Sequence, residues 1–240
     1  MRRNCGAFTL IELIVIVTLV ALLIAALATV GLRDLARAKE AARRTCCMGN
    51  VQSIGLAMFQ YAEEHNARFM PLVDGAGNVV PAVDNQGHVT TLPSRTAFAV
   101  LLKEGYLTTI KVFMCPSARP VFPERVGAKW EDFKKEPLAG LVLPEESCSY
   151  GWDPTKIRHN DVDATCAIIA DRPSEKVTAA NNGTEENNSA NHAGAGQNVL
   201  YNDGHCKWGT TSRPDDGDDP DIYTGAPGYE RSATDAKIIR

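Results

Sequence analysis

The sequence predicts an α+β protein in which one long amino-terminal helix packs its second half against a small antiparallel β-sheet head. Three observations carry that prediction. Positions 13 to 32 hold no charged residue and are rich in Leu, Ile, Val and Ala. From Leu32 to Asn66 there is no proline, and the residues favour helix. Beyond Pro71, Gly, Pro, Asn and Asp punctuate short β-type runs.

The uncharged run comes first. A helix of that length covers about 30 Å, the thickness of a bilayer core. A secretory signal peptide would have an apolar region of only about 7–15 residues followed by a small-residue cleavage site. Here the helical pattern continues instead, so a retained membrane helix is expected. Further on, Cys47, Val51, Ile54, Met58 and Ala62 recur at spacings of four, three, four and four, which marks one apolar stripe. Gln52, Gln60, Glu63 and Glu64 occupy the rest of the circumference. A single helix over 8–66 would be about 88 Å long. Its first half is apolar all round and its second half is amphipathic, with one face for a head to cover. Met58, Phe59 and Tyr61 read as packing under that head rather than as a ligand groove. Gly49 and Gly55 each weaken the helix by about 1 kcal/mol, which packing must offset.

Glu12 is the odd residue, a carboxylate at the start of an apolar run, costly to bury without a partner. The string around it is Cys5-Gly6-Ala7-Phe8-Thr9-Leu10-Ile11-Glu12-Leu13, with Arg2 and Arg3 before it. This string resembles the prepilin signal of type IV pilins and type II secretion pseudopilins. The resemblance implies that prepilin peptidase cuts on the cytoplasmic side before Phe8. The new terminus would then be N-methylated, and Glu12 would fall fifth in the mature chain. It also implies that Glu12 pairs with the terminal amine of a neighbouring subunit during assembly. The family's residue before the cut is glycine, whereas here Ala7 precedes Phe8 and Gly6 lies one further back. Cutting after Ala7 keeps the Phe-to-Glu spacing; cutting after Gly6 would place the glutamate sixth. Without an assembly partner, Glu12 reads as an interfacial carboxylate on a plain anchor. Basic residues lie on both sides of the span, so charge does not set orientation. The resemblance puts the amino terminus in the cytoplasm and the head outside it. The parts are then a leader (1–7), a transmembrane or filament-core helix (8–32), its amphipathic continuation (33–66) and the head (67–240).

Within the head, Asp74-Gly75 and Asn85-Gln86-Gly87 flank Val79-Val80, an irregular excursion with a possible hairpin. Ser94 is placed to cap a short helix through Gly105, with Phe98, Leu101 and Leu102 inward. Strands are expected at 111–115, 147–151, 165–170, 198–201 and 205–208. The last two form a hairpin about Asp203-Gly204, whose chemistry suits a tight turn with positive φ. With the Asn191-to-Gly196 lead-in, this segment is similar to a processing-associated motif of pseudopilin-like proteins: histidine, nine residues, then Asp-Gly. Ten residues separate His192 from Asp203, one more than the motif prescribes.

His192, Asp203, His205 and Cys206 are candidate metal ligands. The residue types suit a transition metal, but no spacing imposes tetrahedral geometry. His192 reads more simply as a hydrogen-bonding structural residue. The run Asp215, Asp216, Asp218, Asp219 and Asp221 has the oxygen-rich character that Ca²⁺ favours. Major pseudopilins carry an acidic calcium-binding loop in a similar place, so the resemblance extends to Ca²⁺ as a candidate ligand, with a solvated loop as the plainer reading. Of seven cysteines, six remain after processing, and six allow about 15 pairings. Cys115 and Cys148 border head strands and are the first expected pair; unpaired, buried thiols are the other possibility.

The balance of 25 basic against 29 acidic residues argues against a nucleic-acid partner, and 44% apolar with 22% charged excludes a disordered or polytopic membrane chain. No serine elbow, phosphate loop or Cys–His framework points to an enzyme. The expected function is a structural pilin- or pseudopilin-like subunit of the bacterial inner membrane. Its partners would be prepilin peptidase, other subunits and lipid. The alternative is a monomeric membrane-anchored protein whose head binds a ligand or metal.

Overall fold

The computed structural model of the chain describes residues 9–74, 76, 78–81, 92–118, 142–213, 219–224 and 236–239, with backbone alone over 27–33. Helix α1 runs unbroken over Leu10–Glu64. It ends because Asn66 and Ala67 turn left-handed, at φ of 57° and 60°. Ala67 N–H then bonds back to the Ala62 carbonyl at 2.8 Å, and His65 Nδ1 lies 2.8 Å from the Tyr61 carbonyl, so two of the last carbonyls gain partners.

The chain divides into two compact units, Met1–Ala42 and Arg43–Arg240. In the first, Leu10, Ile11, Leu13, Ile14, Leu19, Leu22 and Leu23 are all exposed. Among the described residues no helix is long and apolar enough to cross a membrane. The uncharged run of the sequence continues into 27–33, where side chains are not described.

In the second unit, Cys47, Val51, Ile54, Met58 and Ala62 are all buried, as their helical spacing predicts. They meet a four-stranded antiparallel sheet of β3 (Tyr150–Trp152), β4 (Ala167–Asp171), β5 (Gln197–Tyr201) and β6 (Cys206–Gly209), ordered as in the chain. A shorter hairpin pairs β1 (Leu72–Val73) with β2 (Val79–Val80). Its turn is held by Asp74, whose Oδ1 accepts the N–H groups of Ala76 and Asn78. Along β5 the pleat sorts residues by face. Leu200 joins the core with α1, whereas Val199 and Tyr201 join a second cluster with Ile222, Tyr223 and Ile238.

Helix α2 (Arg95–Lys103) lies where expected and ends at Gly105, at φ 88°. Ser94 is not its side-chain cap. The Ser94 hydroxyl donates to the Ile239 carbonyl and accepts the Trp152 N–H, tying α2 to β3 and to the chain's end. The expected strand at 111–115 is instead a 3₁₀ turn, Ile110–Phe113, with Thr109 Oγ1 accepting the Lys111 N–H. The apolar run Val112-Phe113-Met114 suits a buried strand, but a single turn buries Ile110, Val112 and Phe113 instead.

The expected Cys115–Cys148 bridge is also corrected. Cys115 is bonded to Cys47 of α1, with Cα atoms 5.3 Å apart. Cys148 is a buried thiol whose sulfur sits 3.5 Å from the Tyr150 carbonyl.

Candidate functional site

One cluster of buried polar side chains in the head surrounds His192 and Asp171. Asn191 and His192 lie in a turn that Ala193 (φ 57°) and Gly194 (φ 77°) fold back towards β5. Asn188 holds that turn by donating to the carbonyls of Gly194 and Thr210. His192 is thereby buried, with Nε2 3.5 Å from Cys115 Sγ and 3.6 Å from Asp171 Oδ2. Its ring meets Trp208 edge-on at 5.1 Å, and the Arg44 guanidinium lies 4.2 Å from the Trp208 ring centroid.

Asp171 closes β4 and is fully buried, so its charge needs donors. It accepts from Asn191 Nδ2 at 2.8 Å, Asn198 N–H at 2.7 Å and Asn198 Nδ2 at 3.1 Å. Burial pushes its carboxyl above the ordinary value, against the pull of His192 and these amides. Burial also raises the Cys148 thiol to about 11, and burial with the Asp171 charge raises Cys206 to about 12. Both thiols are therefore protonated and unreactive at neutral pH.

The candidate metal residues do not assemble as a group. His192 sits with Cys115 and Asp171, whereas Asp203 pairs with His205 at 2.6 Å in the exposed turn. The two ends of the His-to-Asp-Gly segment thus brace opposite ends of β5. Gly204, at φ 89°, makes the turn that the sequence predicts, with its N–H on the Tyr201 carbonyl. Beside it, Phe59, His159, Val162, Asn202 and Asp203 line an open, mainly polar pocket.

Of the acidic run, Asp215, Asp216 and Asp218 lie outside the described residues. Asp219 and Asp221 are buried, and the protein's own donors occupy them. Asp219 accepts the N–H groups of Asp221 and Ala236. Asp221 accepts from Gly183, Asn187, Ser212, Tyr223 and Thr224, so this pair anchors the carboxy-terminal segment.

At the other end of the chain, Thr9 and Glu12 form a capping box. Glu12 Oε2 accepts both the Thr9 N–H and the Thr9 hydroxyl at 2.9 Å, and Thr9 Oγ1 accepts the Glu12 N–H at 3.3 Å. Gly6, Ala7 and Phe8 lie outside the described residues. A family model described as a prokaryotic N-terminal methylation motif matches residues 2–28, across this box. The chain has a prepilin-type amino terminus. A second model, described as a protein of unknown function (DUF1559), matches residues 36–140. With a long helix followed by antiparallel sheets, the two matches are consistent with a type IV pilin- or pseudopilin-like protein. The motif implies processing by prepilin peptidase. No curated protein and no solved structure matches the chain.

The sequence alone did not reveal Asp171 or the role of Cys47. Asp171 had a signal: it is the one charged residue closing the apolar run Ala167-Ile168-Ile169-Ala170. Cys47 looked like one more member of the helix stripe, and nothing local separates a packing cysteine from a bonded one.

Proposed function

We propose that the chain is a structural filament subunit stored in the bacterial inner membrane. On this reading the leader is removed before Phe8, the new amine is methylated, and the subunit polymerises through α1 into a type II secretion or type IV pilus-like filament. The head faces away from the cytoplasm and has no catalytic role. Glu12 carries the proposal. It is exposed at the start of an apolar stretch whose large side chains at 10–24 are exposed too, and among the described residues Thr9 alone occupies its carboxylate. When apolar helices close around it, that charge needs a cation, and a neighbour's methylated amine supplies one. A monomeric anchor has no comparable use for it.

The test is Glu12→Ala in cells, together with mass measurement of the mature terminus. Filament incorporation is expected to disappear while membrane insertion persists, and the mature chain should begin with a methylated Phe8. Unchanged assembly of the variant, or a chain retaining Met1, would favour the tethered, ligand-binding alternative.

A further inference from the structure

We propose that Cys47, Cys115 and His192 form a binding site for one thiophilic metal ion of the zinc type, available when the Cys47–Cys115 bond is open. The three residues come from α1, from the segment after the Ile110–Phe113 turn and from the turn before β5. All are buried, and their ligand atoms lie within 4.8 Å of one another. Cys115 Sγ and His192 Nε2 are 3.5 Å apart. Zn–S of about 2.3 Å and Zn–N of about 2.0 Å at a tetrahedral angle set sulfur and nitrogen roughly 3.5 Å apart, so this edge of the site already has its length. The two sulfurs must move from bonding distance to roughly 3.8 Å, a displacement within reach of side-chain rotation.

The chemistry selects the ion. Two thiolates and an imidazole favour zinc or copper(I) over calcium or magnesium. Two thiolates also cancel the charge of a zinc ion, so the buried site is neutral. Asp171 Oδ2, which already accepts from Asn198, lies 3.6 Å from His192 Nε2 and flanks the site without joining the three ligands. Trp208 lies edge-on against His192.

Disulfide and metal exclude each other, because each uses both sulfurs. A dithiol reductant opens the bond by giving two electrons and two protons and leaves as its own disulfide. Each cysteine sulfur takes one proton, and metal binding releases both to solvent. Since the ligands are buried, the ion enters while the reduced chain folds.

The experiment uses the full chain in detergent, unfolded and reduced with a dithiol, then refolded without oxygen in the presence of Co²⁺ or Zn²⁺. The expected result is one ion per chain, a thiolate-to-cobalt absorption band that zinc displaces, a higher melting temperature with zinc, and no uptake by the oxidised chain. Cys115→Ser should abolish the band, His192→Gln should shift the cobalt spectrum, and the Cys148→Ser/Cys206→Ser double variant should retain it. If Cys115→Ser does not fold, the double variant decides: retained binding supports the site and lost binding overturns it. The proposal is also overturned by a reduced chain that takes up no ion, by binding that survives Cys115→Ser, or by a reduced chain that zinc cannot refold.

Discussion

Gly55 of α1 lies against Leu200 of β5, whose side chain occupies the space that a β-carbon at position 55 would need. Replacing this glycine sets two effects against each other. Alanine would gain about 1 kcal/mol of helix propensity, but crowding a packed core costs about 1–3 kcal/mol. Leu200 is 1% exposed, so it has little room to yield. Gly55→Ala is expected to lower stability by about 1 kcal/mol in denaturant unfolding. Gly49, with nothing within 4 Å of its added carbon, is the internal control. Gly49→Ala should stabilise by up to about 1 kcal/mol.

Non-reducing peptide mapping should find Cys47 linked to Cys115, and Cys148→Ser should leave that link unchanged. The bond closes a loop with a sequence separation of 68. Its removal by Cys47→Ser should cost about 2–4 kcal/mol, measured on the oxidised chain.

Asp221 gathers five donors in a buried setting, so Asp221→Asn turns part of an acceptor site into a donor facing donors. A loss of about 1–3 kcal/mol is expected. The loss should be the same with calcium or with chelator, because the partners are the protein's own. A melting point that depends on calcium in the wild type but not in the variant would place an ion at this carboxylate.

Tyr106 donates its hydroxyl to Glu64 Oε2 at 2.6 Å, which pushes the phenol up to about 12. In a spectrophotometric titration its phenol should ionise at about 12, and Glu64→Gln should return it towards 10, its ordinary value. The folded value lies above the unfolded one, so the folded chain holds more protons between them. Stability from this bond is therefore complete below pH 10 and is lost as the pH rises towards 12.

The sequence made legible whatever repeats with a period or sits within one turn. The stripe from Cys47 to Ala62 announces its buried face, and Asp203-Gly204 announces its hairpin. What it hid depends on contacts across the chain. Cys47 and Cys115 are far apart in sequence, and the union of Asp171 with His192 exists only once β4 and β5 pair. The strand expected at 111–115 failed for a different reason. So short an apolar run is too little for a strand to be told from a single tight turn.

The strands of the main sheet are laid down in the order in which they are made, and only β5 and β6 are joined by a tight turn. The connections over 153–166 and 172–196 are long, yet no strand has to pass between two others. Lengthening such a connection costs closure entropy only logarithmically. The scaffold can therefore vary its outer surface by insertion at either place while the helix-facing side keeps its register, so what the head displays and what it is mounted on can change independently.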